Sequence, residues 1–158
     1  GLADWDKIRA VKQAVSVPVF ANGNILYQSD IEACLKATGC DAVMSAEGQL
    51  YNPALFAGID QIPPDAPDYD SDRHILIRHP RHVDLALEYL DIVAELETTT
   101  SVGAIKGHLF KIMRPGLGKE TDLRERLGKV KIDAKKVKEG LKWYRIICEE
   151  MKERMDVT

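Results

Sequence analysis

The 158-residue chain contains no run of 18 apolar residues, which excludes a helix that crosses a membrane. The opening GLADWDKIRA has no basic stretch leading into an apolar core, so no secretion signal is expected there. Cysteine is scarce: Cys34, Cys40 and Cys148 are odd in number and lack CxxC spacing, which argues against a disulfide framework or a zinc knuckle. They read as reduced, buried thiols, and the expected setting is intracellular, cytoplasmic or nuclear. Histidine is also sparse. His74, His79 and His82 cluster beside Asp84, but Pro80 interrupts any shared helical face and no pair completes a tetrahedral set, so no metal site is expected. Repeats at solenoid periods and low-complexity tracts are missing as well.

What is present is 45% hydrophobic content with a net charge of −3, the composition of an ordinary globular protein. The charge is unevenly spread. Residues 1–80 carry 6 Lys+Arg against 11 Asp+Glu, a balance of −5, whereas residues 101–145 carry 13 against 5, a balance of +8. Between these halves lies GIDQIPPDAPDYDSD, residues 58–72, whose prolines and aspartates exclude a packed helix or strand. The expected division is therefore 1–57, a linker at 58–79, and 80–158.

The first segment reads helix, strand, helix, strand, short helix. Trp5, Ile8, Val11 and Val15 recur at helical spacing and predict a helix over 4–15. Residues 17–20 (VPVF) predict a buried strand that stops at Asn22-Gly23-Asn24. Ser29 and Glu32 form a capping box for a helix closed at Thr38-Gly39. Residues 41–45 predict a second strand ending in SAEGQ, and Asn52-Pro53 opens a short helix to Phe56. This order implies parallel strands with both faces covered. In such folds ligands sit at the carboxyl ends of strands, and glycine-bearing loops there let backbone N–H groups approach an anion. An Asn-Gly turn is also a common structural corner, but two such loops on neighbouring strands favour a phosphate grip.

The second segment reads as four helices. They cover residues 81–97 with Pro80 at the first position, a stretch from Ser101 to Arg114-Pro115-Gly116, Thr121 to Lys129, and Asp133 to about Met155. In the first, Val83, Leu87 and Leu90 form one apolar stripe and Leu85, Tyr89, Ile92 and Leu96 another, the pattern of a helix packed on two sides. An antiparallel bundle is the default for short connections. In the last helix Val137, Leu141, Tyr144, Cys148 and Met151 form an apolar seam, flanked by a basic stripe of Lys135, Lys138, Lys142 and Arg145. Such lysines commonly line a seam with their stems. Lys106, His108, Lys111 and Arg114 on the second helix extend the basic character, with Arg124, Arg126, Lys129 and Lys131 between. A broad positive surface of this kind suits a folded RNA held by its phosphates.

The stretches DW, VPVFANGNI and GCDAVMSAEGQLYNPALF, together with GHLFKIMRPGL and TDLRERLGKVK, resemble the tRNA-dihydrouridine synthases, specifically the eukaryotic type acting on neighbouring D-loop uridines (16/17). The resemblance implies α/β followed by all-α: the last two βα units of an incomplete (β/α)₈ TIM barrel, then a C-terminal helical tRNA-binding domain. It implies an oxidoreductase that saturates the C5–C6 bond of uridine with FMN reduced by NADPH, a cysteine acid protonating C5. By the same resemblance Asn22, Gly23, Asn24, Ala46 and Glu47 would hold the FMN phosphate through backbone groups, Gly48 permitting close approach. Glu47 stands where bacterial relatives carry a cation, so its carboxylate must point away. The family's catalytic cysteine belongs to an earlier part of the barrel. No catalytic residue is therefore expected in this chain, which reads as a C-terminal part, inactive alone. The expected partners are tRNA, FMN and the missing barrel portion, with no membrane or DNA. The alternatives are a non-catalytic RNA-binding module and part of another FMN- or phosphate-binding barrel enzyme.

Overall fold

The computed structural model describes residues 2–57, 67, 79–98 and 100–157. The expected linker at 58–79 lies, but for residues 67 and 79, outside the described residues, as does His74. The described chain is mostly helical with one two-stranded parallel sheet, and it divides into two compact units, Gly1–His79 and Pro80–Thr158.

In the first unit α1 (Trp5–Ala14) starts where the Asp4 carboxylate accepts from the N–H groups of Asp6 and Lys7, both at 3.1 Å. Those backbone donors and the nearby Lys7 ammonium hold the Asp4 carboxyl below its ordinary value. Trp5 and Ile8 pack on a small core of Ala21, Ile25, Cys34, Cys40 and Leu55. Val11 and Val15, expected on the same stripe, are exposed. β1 (Phe20–Asn22) pairs in parallel with β2 (Ala42–Met44), Phe20 opposite Ala42 and Asn22 opposite Met44. The strand expected at 17–20 thus begins at Phe20 and takes in Asn22. It is buried only at Ala21: Val17 and Phe20 are each 60% exposed, because β1 has a neighbouring strand on one side only among the described residues.

The crossover helix α2 (Gln28–Thr38) begins a residue before the expected cap. Asp30, rather than the Ser29–Glu32 pair, closes its first turn by accepting from the N–H groups of Leu26 (3.0 Å) and Tyr27 (2.8 Å). At its other end Gly39 takes a left-handed φ of 69°, as the sequence requires. The Asn52 side chain accepts from Ala54 N–H at 3.1 Å and starts a 3₁₀ turn at Pro53–Phe56. The stretch SAEGQ is not a loop throughout: residues from Glu47 on form α3 (Glu47–Tyr51).

The second unit contains α4 (His82–Glu95), α5 (Val102–Ile112), α6 (Arg114–Leu117), α7 (Thr121–Lys129) and α8 (Val137–Asp156). One core joins Val83, Ala86, Leu90 and Val93 of α4 to Ile105 and Leu109 of α5, Leu123 and Leu127 of α7, and the full expected seam of α8. Pro80 precedes α4 rather than opening it. The second stripe of α4 is half open, with Ile92 and Leu96 exposed, so the helix is buried on one face. Arg114-Pro115-Gly116 does not stop the chain but forms α6, since proline is tolerated in a first turn, where its missing N–H is not needed. Gly116 is buried there because a Cβ would meet His82 Nε2 at 2.5 Å and Met151 Sδ at 2.8 Å. Asp133 caps a turn, accepting from Lys135 N–H at 2.9 Å, and α8 starts only at Val137.

Candidate functional site

The carboxyl ends of β1 and β2 open into a concavity of about 460 Å³. Asn22, Gly23 and Asn24 line one side, Ala46, Glu47 and Gly48 the other, with Ala3, Ile25, Leu26 and Ser45 among the rest of the wall. All six residues expected in the phosphate grip therefore meet at one place. Their individual roles differ from expectation. Gly23 has φ +124° and a Cβ on it would meet Ala3 Cβ at 2.5 Å, so glycine is needed for both conformation and space. Asn24, at φ 62°, turns its amide onto the N-terminal segment, accepting from Ala3 N–H at 3.1 Å and donating to Ala3 C=O at 3.4 Å. Trp5 Nε1 donates to Gly23 C=O at 3.3 Å and completes this clamp.

Gly48 was expected to admit the ligand, but the space of its absent Cβ is taken by the chain itself. That atom would lie 2.3 Å from Ile25 C=O and 2.8 Å from Ser45 Oγ, which already donates to Ile25 C=O at 2.6 Å. Gly48 and Ser45 thus join the two strand-end segments to each other. Glu47 points along its own helix, where Tyr51 Oη donates to its carboxylate at 3.0 Å. Among the described residues no lysine or arginine lines the concavity, whose lining is neutral apart from Glu47. The clamp by Ala3 and Trp5 left no motif in the sequence; only the αL tendency of Asn hinted at it.

The basic residues of the helical unit scatter. Lys106 Nζ donates to the carbonyls of Gly128 (2.9 Å) and Val130 (2.7 Å), closing the C-terminus of α7 rather than facing a ligand. His108 Nδ1 lies 2.7 Å from Tyr89 Oη, with the two rings edge to face. Arg145 is ion-paired with Asp91 across α4 and α8. Lys135 lies before α8, outside the helix, so the expected four-residue stripe is broken at both ends. Lys111, Lys138 and Lys142 are exposed, as is Arg114, and Lys135 and Lys138 line one cleft with Lys136. Of the cations between, Arg126 pairs with Glu150 and Lys129 with Glu125, while Arg154 gathers Glu120, Asp122 and Glu150. Among the described residues Lys111, Lys131, Lys135, Lys138 and Lys142 have no acid within ion-pairing distance.

The three cysteines are buried and free. Burial pushes the Cys148 thiol up to about 12, and raises Cys34 as well, so both stay protonated and unreactive. No described helix is long and apolar enough to cross a membrane.

Two parallel strands linked by a crossover helix, with a glycine-bearing concavity at their carboxyl ends, define a parallel α/β architecture. The family model described as "Dihydrouridine synthase (Dus)" matches residues 1–149, and the chain belongs to that family. It is 43% identical over 132 residues to the tRNA-dihydrouridine(16/17) synthase of Schizosaccharomyces pombe, covering 80% of this chain and 30% of that protein. Over 131 residues it is 44% identical to the tRNA-dihydrouridine(16/17) synthase-like protein of Mus musculus, covering 83% and 23%. The Saccharomyces cerevisiae tRNA-dihydrouridine(16/17) synthase is 40% identical over 130 residues, covering 80% and 28%. The names of all three specify NAD(P)(+). The chain thus spans less than a third of the length of these curated relatives.

Proposed function

We propose that this chain takes part in the reduction of uridine to dihydrouridine in the D-loop of tRNA, an FMN-dependent reaction with NADPH as reductant. The observation that carries the reading is the meeting of Asn22, Gly23, Asn24, Ala46, Glu47 and Gly48 around one concavity at two parallel strand ends. The residues fit the cofactor's phosphate: among the described residues the wall is neutral but for Glu47, whose carboxylate is tied back to Tyr51, and small residues of two segments, Gly23, Ala46 and Gly48 among them, line it. Residues 22–24 and 46–48 would hold that phosphate. When bound, FMN supplies the hydride that saturates the C5–C6 bond. The chain's own cysteines are not suited to supply the proton, since all three are buried, Cys34 and Cys148 at 0% and Cys40 at 8% exposure.

In this reading residues 1–57 are the last two βα units of a (β/α)₈ barrel, 58–79 a linker, and 80–158 an antiparallel helical domain that contacts tRNA. The exposed Val17, Phe20 and Met44 on and beside the strands support it, because parallel strands are normally covered on both faces. The reduced thiols suit an intracellular setting, cytoplasmic or nuclear.

The test is replacement. A Schizosaccharomyces pombe relative carrying this chain in place of its matching segment should purify with flavin absorbance and form dihydrouridine in tRNA. Glu47→Ala should leave flavin retention intact, whereas Gly48→Ala should reduce it by forcing apart the two segments that border the site. A folded replacement protein that forms no dihydrouridine overturns the proposal.

A further inference from the structure

A cleft between the end of α7 and the middle of α8 has no part in the chemistry described above. Trp143 and Ile146, three apart on α8 and outside its buried seam, are 52% and 47% exposed. With Val130 they floor a cleft of about 410 Å³. Two exposed apolar side chains of this size, side by side, form a patch of the kind that marks a binding surface. The rim is cationic. Arg126, Lys129 and Lys131 line it, and Lys142, beside the lining, places its Nζ over one face of the Trp143 ring, 5.1 Å from the centroid. Arg126 and Lys129 bring their own acids, Glu150 and Glu125, so Lys131 and Lys142 carry the unbalanced charge.

We propose that this cleft takes one unpaired nucleotide of an RNA, the base stacked on Trp143 and the flanking phosphates against Lys131 and Lys142. The inference rests on the tRNA-binding reading of the helical unit and adds a contact that selects single-stranded structure. A nucleotide uses every part of the cleft: its π-face meets the indole, its edge the Ile146 and Val130 floor, and its phosphates the two lysines. A second copy of this chain would bring the same lysines against themselves. Stacking reads no sequence, because each base offers a π-face, so the site would hold an extruded loop nucleotide whatever its identity.

The test uses the full chain and three probes: a single-stranded oligouridylate of about ten nucleotides, a blunt RNA duplex of equal length, and a tRNA transcript. Oligouridylate should quench the tryptophan emission of the unaltered chain, and the duplex should quench it far less. Trp143→Leu should abolish the quenching and weaken oligouridylate binding by about five- to a hundredfold, with Trp143→Phe recovering most of the affinity. The slope of log K against log salt should stay the same in Trp143→Leu, which loses no charge, and become shallower by about 0.7 in Lys131→Gln. Wild-type affinity in Trp143→Leu overturns the proposal, as does failure of Trp143→Phe to recover binding. Emission that responds to polyglutamate or to protein concentration instead of oligouridylate overturns it in favour of a protein occupant. A chain that binds tRNA independently of Trp143 removes this site alone; a chain that binds neither RNA removes the tRNA reading with it.

Discussion

The two units differ in how far each closes on itself. The helical unit buries residues from five helices in one continuous core, with Leu90, Ile105, Leu109, Leu123, Leu127 and Tyr144 essentially inaccessible. The α/β unit gathers Ala21, Ile25, Cys34, Cys40 and Leu55, and leaves Val17, Phe20, Leu26, Tyr27, Met44 and Phe56 open. A helix satisfies its backbone internally and needs cover on one stripe, whereas a parallel strand needs neighbours on both edges and cover on both faces. The unit rich in helices can therefore stand by its own packing. Among its described residues the unit with two strands leaves strand and loop side chains open that a covered parallel sheet would bury.

The largest effect that would break this comparison lies in the helical core. Leu109→Ala should cost about 2 to 5 kcal/mol, since the side chain is fully buried among neighbours on several helices and leaves a cavity. Phe20→Ala, with more than half its surface already in water, should change stability by about 0.5 kcal/mol or less. Urea titrations of the chain followed by circular dichroism would read both. A Phe20→Ala loss as large as that of Leu109→Ala would mean that the α/β unit closes on itself after all.

The same contrast governs what was legible in the sequence. The α8 seam of Val137, Leu141, Tyr144, Cys148 and Met151 could be read residue by residue, because a 3.6-residue period is local and each seam position faces one core. The strand ends were legible as a place, since Asn-Gly and Ala-Glu-Gly both end apolar runs, but the roles within that place were not. That Gly48 makes room for Ile25 C=O and Asn24 holds Ala3 depends on contacts about twenty residues apart, which no local pattern encodes. The basic residues were the least legible. Helical spacing tells which side of a helix a lysine occupies, not whether an acid or a carbonyl waits on the next helix, as Asp91 does for Arg145 and Val130 for Lys106.

Lys106 sharpens the point at intermediate scale. As a closure of α7 its loss should lower stability, and as an RNA contact its loss should change salt dependence. Lys106→Met keeps the apolar stem and removes both carbonyl bonds, so the helical unit should lose about 1 to 2 kcal/mol. The slope of log K against log salt for tRNA should not move, because the ammonium is already engaged within the fold. Unchanged stability with a shallower slope would return Lys106 to the RNA surface.

The smallest expected effect is a pH dependence in the helical unit that arises from His82. His82 Nε2 is buried without a hydrogen-bond partner among the described residues, next to Gly116. Burial is the main cause that holds the His82 imidazole below its ordinary value, Arg81 adds to it, and Asp84 opposes it. A base with a depressed value binds fewer protons folded than unfolded. Its contribution is therefore fully present above the unfolded value of about 6.5 and is lost as pH falls toward the folded one. The carboxylates held low by arginine, such as Asp122 and Glu150, lose their contributions only near and below the ordinary carboxylate range of about 4, so the two effects separate. Urea midpoints between about pH 7.5 and 5.5 should fall slightly in the unaltered chain and stay level in His82→Gln. If His82→Gln retains the full drop, another group titrates and the neutral imidazole at Gly116 is not what the helical core depends on.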